Sequence, residues 1–169
     1  MAEIPEGMKL AGVVQAWLDK MQLPVEMRLS EAGGTASVET GCEIEGRPYR
    51  LFVEADEGRQ WLSLYMYGSM PIPAEFHDEA CRLVNEINLG FLSLGRLAAI
   101  RGKGFQFMAL ADVEGITPAP TLIKNMLDAG THAYKLWAGA MAELVAGDKT
   151  AAQLIEAATQ GDRAGATAA

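Results

Sequence analysis

Residues 37–67 read SVETGCEIEGRPYRLFVEADEGRQWLSLYMY, and their pattern decides the fold. From Ser37 to Glu45, Val38, Thr40, Cys42 and Ile44 fall on one side of an extended chain. Glu39, Glu43 and Glu45 fall on the other, which is the two-residue alternation of a half-buried strand. Glu45-Gly46-Arg47-Pro48 supplies a turn, and the run 49–55 puts Tyr49, Leu51, Val53 and Ala55 on one side. Asp56-Glu57-Gly58 turns again, and 61–67 is a third run. Turns this short join antiparallel neighbours, so the three runs form a meander.

The third run is apolar on both sides. Trp61, Tyr65 and Tyr67 share one face; Leu62, Leu64 and Met66 share the other. Such a sheet needs cover on both faces. Either the helices divide between the faces or a partner covers one; we expect the first.

Outward from the meander, Val13, Val14, Trp17, Leu18 and Met21 repeat at three and four, a helical stripe that Pro24 ends. Val25, Met27 and Leu29 alternate before Gly33-Gly34 breaks the run. A helix over about 74–89 carries Phe76, Ala80, Leu83, Val84 and Ile87 on one stripe. The runs 91–100 and 105–111 form a second hairpin turning on Gly102 and Gly104. Thr117 is placed to cap a long helix with Pro118 at its first position. That helix carries Ile123, Met126, Ala133, Tyr134, Trp137, Met141 and Leu144 on a broad face. Thr150 and Gln153 fit a capping box for a last helix. The expected order is α-βββ-α-ββ-α-α: an α+β fold with a five-stranded antiparallel sheet. We expect one domain over 1–158 and a small, polar, frayed tail over 159–169.

Of the 169 residues, half are hydrophobic and the net charge is −8. That balance argues against nucleic acid and against an anionic membrane surface, both of which select Lys and Arg. MAEIPEGMKL carries acids before any apolar run and does not read as a signal peptide. No apolar stretch approaches the ~20 residues of a spanning helix. Cytoplasmic residence is the expectation.

The search for chemistry returns bland readings. His77 and Cys81 sit one helical turn apart, but zinc needs three or four ligands and His132 is distant in sequence. Gly102-Lys103-Gly104 lacks the frame of a phosphate loop and reads as a hairpin turn. Cys42 and Cys81 read as reduced, buried thiols. Glu39, Glu43 and Glu45 could dock a basic segment, but Arg47 and Arg50 lie across the hairpin, so a solvated strand face is the simpler account. Nine methionines suit either a core or an adaptable surface, and the core is favoured. We expect no catalytic residue, metal or cofactor.

Val84-Asn85-Glu86-Ile87-Asn88, the hairpin after it, Thr117-Pro118, Leu122-Ile123-Lys124-Asn125, and Gly147-Asp148-Lys149-Thr150 follow one another at a spacing that resembles the YbjN family. These bacterial proteins are often labelled sensory-transduction regulators. The resemblance implies a type III secretion chaperone-like fold, dimerisation and no active site. Tyr134 to Met141, YKLWAGAM, departs from it by lacking a proline break. The function expected is a non-enzymatic protein-binding module, chaperone-like or a regulatory adaptor, acting as a homodimer. Its expected partner or dimer surface is Trp61, Tyr65, Tyr67, Trp137 and Met141. The alternative is a small-ligand sensor with a pocket between sheet and helices near Trp17, Trp61 and Trp137.

Overall fold

The computed structural model describes residues 4–30 and 34–166. Gly33 of the expected break, the first three residues of the N-terminus and the last three of the tail lie outside the described residues. Helix α1, Lys9–Met21, buries Val13, Val14, Trp17 and Leu18 on its stripe. It closes at Gln22, which turns left-handed two residues before Pro24. The meander follows as β2 (Thr35–Ile44), β3 (Arg47–Asp56) and β4 (Trp61–Gly68), preceded by a short β1 (Arg28–Leu29). A single 3-10 turn leads into α2 (His77–Gly90), then come β5 (Arg96–Ile100) and β6 (Gly104–Asp112). The chain ends in α3 (Thr121–Val145) and α4 (Ala151–Ala166).

The sheet is antiparallel throughout, in the order β1-β2-β3-β4-β6-β5. It has six strands, not five. The extra strand, β1, offers two residues, which pair with Ala36 and Ser37 of β2. The alternation of Val25, Met27 and Leu29 allows a short strand here, and only Leu29 of the three lies in β1. β5 is also shorter than the run 91–100. Gly95 turns the chain at φ 73°, and a Cβ there would lie 2.3 Å from the Phe107 ring. Only a glycine lets the backbone pass that close.

α3 begins at Thr121, three residues later than expected. A residue before proline is pushed out of the helical region. Pro118 would be tolerated at a first helical position, but Ala119 precedes Pro120, so the helix starts only after the second proline. It then runs unbroken through Tyr134–Met141. The capping box of α4 forms: the Thr150 amide donates to Gln153 Oε1 at 2.9 Å, and the Gln153 amide donates to Thr150 Oγ1 at 3.4 Å. α4 continues past Ala158 to Ala166.

The helices do not divide between the faces of the sheet. α1 and α3 pack on one face, α2 packs beside edge strand β5, and α4 packs on α2. Val38, Val53, Leu64 and Ala109 lie in register across four strands under α1 and α3, and all are buried. Tyr134 of α3 locks this face: its hydroxyl lies 3.0 Å from the Met66 carbonyl and 2.9 Å from that of Phe105. Among the described residues no helix is long and apolar enough to cross a membrane.

Candidate docking face

Strand alternation sends every second side chain away from the helices. On that side Phe52 of β3 lies opposite Tyr65 of β4, which lies opposite Met108 of β6. In the next row Arg50, Tyr67 and Gln106 align, and Trp61 ends the face between Asp56 and Asp112. Phe52, Trp61, Tyr65, Tyr67 and Met108 are all half-buried, and Leu110 is 44% exposed. Glu54, Ser63 and Leu110 form the row between Trp61 and Tyr65, so the result is an apolar and aromatic cluster around Tyr65, with polar positions among it and, among the described residues, no helix over it.

Local contacts hold this stripe in shape. The Phe52 and Tyr67 rings meet edge to face at 5.5 Å, a favoured aromatic geometry. Gln106 Nε2 donates to Tyr67 Oη at 2.9 Å. Burial, with Tyr65 adding to it, holds the Tyr67 phenol above its ordinary pKa, and Arg50 opposes this. Arg59 lies 5.3 Å above the Trp61 ring and Arg50 5.1 Å above Phe52.

Of the five expected surface residues, Trp61, Tyr65 and Tyr67 therefore lie together. Trp137 and Met141 do not join them. They are 4% and 2% exposed, on the inner side of α3, and Trp137 packs edge-on against Phe91 at 4.9 Å. An aromatic stripe on a helix is core whenever the helix lies across a sheet. The three tryptophans expected around one pocket do not come together. Trp17 and Trp137 are buried on the helical side of the sheet, and Trp61 is on the other.

A broad concavity of about 770 Å³ opens at one end of the face. Phe52, Tyr67 and Ile100 supply apolar wall, and Arg50 and Lys103 supply charge. It is hollow because Gly41, Gly68 and Gly104 line it without side chains. The β5–β6 turn closes through the Lys103 amide on the Ile100 carbonyl at 3.0 Å and brings Lys103 to the rim. Gly104, at φ 140°, admits the Met70 carbonyl to within 2.4 Å of where a Cβ would stand. Gly102-Lys103-Gly104 is thus a hairpin turn, as its spacing suggests.

Glu39 is engaged by Arg50, Nη2 to Oε1 at 2.6 Å, and Glu45 sits left-handed in the β2–β3 turn rather than in a strand. The acids of β2 make no separate acidic surface. Cys81 is exposed rather than buried, and its Sγ lies 3.6 Å from His77 Nε2. Cys42 is half-buried, and burial raises its thiol pKa. Among the described residues no group of three or more His, Cys, Asp and Glu side chains is placed to hold a metal ion.

The edges of the sheet are protected at one side by a residue that sequence reading assigned to the end of a helix. Asn88 of α2 donates from Nδ2 to the Leu97 carbonyl at 2.9 Å and accepts from the Leu97 amide at 2.8 Å. Its amide replaces a neighbouring strand on the open side of β5, which blunts that edge for pairing.

No family model matches the chain, and no curated protein matches it. The YbjN resemblance therefore rests on the residues that carry it. Among solved structures, the chain is similar to the type III secretion chaperone SycH of Yersinia pestis, crystallised in complex with a stable fragment of YscM2. The TM-score is 0.46 at 12% identity, over 73% of this chain and 94% of that one.

Proposed function

We propose that the chain is a non-enzymatic protein-binding module whose docking surface is the uncovered face of the sheet. The observation that carries this is the stripe of Phe52, Trp61, Tyr65, Tyr67, Met108 and Leu110 left without a helix over it. Exposed apolar patches of this kind are rare on monomers and mark sites of interaction. Aromatic side chains and Met are enriched at such interfaces. The blocked β5 edge favours docking onto the face over strand addition at that side. A chaperone-like or adaptor role, YbjN membership and cytoplasmic residence belong to the same proposal.

Pairing of two copies over this face is a second reading, favoured by its size. Five strands about 4.8 Å apart and some eight residues long make a footprint of about 600 Å². Side-chain relief brings that near the ~800 Å² per partner of a stable complex. α3 contributes little, because Leu136 is its one large exposed apolar side chain among the described residues.

The test is purification of tagged wild type and of a Tyr65→Glu, Leu110→Glu variant from the native cells. Both side chains lie on the side of the sheet away from the core, Tyr65 half-buried and Leu110 exposed, and retention of the fold in the variant is checked by circular dichroism. A stoichiometric protein retained by the wild type and lost from the variant supports the proposal. A partner held equally by both refutes it. Sedimentation of the isolated wild type assigns the face to a second copy if it runs as a dimer and the variant as a monomer.

A further inference from the structure

We infer that the concavity at the Arg50–Lys103 end of the face is a binding site for a small amphipathic carboxylate. It goes beyond the protein-docking reading: it shares Phe52 and Tyr67 with that face but rests on the Arg50 and Lys103 cations, which the docking reading does not use. The chain carries a net charge of −8, yet the lining of this hollow contains two cations and no carboxylate. Glu39 at the rim offsets the Arg50 charge, which leaves Lys103 as the uncompensated cation of the hollow. Lys103 makes no ion pair among the described residues. Arg50 spends one nitrogen on Glu39, and a guanidinium has five N–H donors, so donors remain for a ligand.

The rest of the wall is apolar. Phe52 and Tyr67, fixed edge to face, and Ile100 offer a surface for an alkyl or aromatic body. A volume of about 770 Å³ falls in the range of small-ligand sites, which pair an apolar lining with a few placed polar groups. A carboxylate suits the two cations because charge-assisted bonds to Arg and Lys are the strong ones. A cationic or neutral ligand with the same body would forgo them.

The probe is octanoate, titrated into ¹⁵N-labelled wild type at pH 7 and compared with octylammonium. Saturable octanoate shifts at the amides of Tyr67, Ser69 and Gly104, with none from octylammonium, are expected. Arg50→Gln and Lys103→Gln should each weaken octanoate at least about fivefold. Arg50 is 68% exposed at its side chain and Lys103 is also exposed, so both variants retain the wild-type spectrum. Equal shifts from both amphiphiles, octanoate shifts that never saturate, or unchanged affinity in both variants would overturn the site. Any of these leaves partner loss in the Tyr65→Glu, Leu110→Glu variant unaffected, so the two readings fail separately.

Discussion

Replacing Tyr134 by Phe removes one oxygen from the centre of the structure and leaves the ring in place. In the wild type that hydroxyl sits between two strands, 3.0 Å from the Met66 carbonyl and 2.9 Å from the Phe105 carbonyl. It has one proton and serves one carbonyl at a time. A buried hydrogen bond contributes about 1 kcal/mol net, and a carbonyl left without its donor adds to the loss. We expect Tyr134→Phe to cost about 1–2 kcal/mol. With a urea m-value of about 2 kcal/mol/M, the midpoint falls by about 0.5–1 M.

The pH dependence gives an independent reading of the same group. Burial, with Tyr49 adding to it, holds the Tyr134 phenol far above its ordinary pKa, and backbone hydrogen bonds only partly oppose this. Its folded pKa is raised, so its contribution is complete below the unfolded value near pH 10 and is lost as pH rises beyond it. The loss runs at about 1.4 kcal/mol per pH unit. Tyr134→Phe lacks this titration, so the gap between wild type and variant should narrow by about 1 kcal/mol between pH 10 and 11, the first unit above the unfolded pKa. Tyr49 and Tyr67 are raised too but are common to both proteins. Urea melts at pH 7, 10 and 11 decide the matter. Equal stability at pH 7, or a gap that stays constant to pH 11, would refute the reasoning.

Asn88→Ala should cost about 1–2 kcal/mol by stripping β5 of its side-chain partner, and it should raise aggregation, measured by light scattering, because the edge is opened. Gly104→Ala sets a Cβ against the Met70 carbonyl at a positive φ; a loss of about 2 kcal/mol or more in thermal melts is expected, a near-neutral change being evidence against that close approach. Trp137→Ala should cost about 3–5 kcal/mol in folding as a core truncation. Sedimentation of the folded fraction should be unchanged, whereas selective loss of association would return Trp137 to the surface.

The meander was legible because Val38, Val53 and Leu64 alternate strictly with polar or half-buried neighbours between glycine turns. The start of α3 was not, because Pro120 keeps Ala119 out of the helical region and so defeats a Thr117 cap that looks sound by composition. Trp61-Leu62-Ser63-Leu64-Tyr65-Met66-Tyr67 declares two apolar faces but not which is covered. That depends on where α1 and α3 pack, a long-range matter. Trp137 and Met141 failed as surface candidates for the same cause: a helical stripe has the same period whether it meets its own sheet or another chain. The Arg50–Lys103 hollow is assembled from five strands and a turn, with glycines as its key element, and an absence of side chains leaves no pattern to read.

The central claim is that the open face of the sheet is covered by protein when the chain is at work. The direct measurement places a photo-crosslinking amino acid at position 65, in the middle of the stripe, and in a separate protein at position 136, on the exposed side of α3. Both are irradiated in the native cells. The account predicts a discrete crosslinked protein species from position 65, abolished by Leu110→Glu, and none from position 136. Crosslinking from position 136 alone, or from position 65 with no dependence on Leu110, would contradict it.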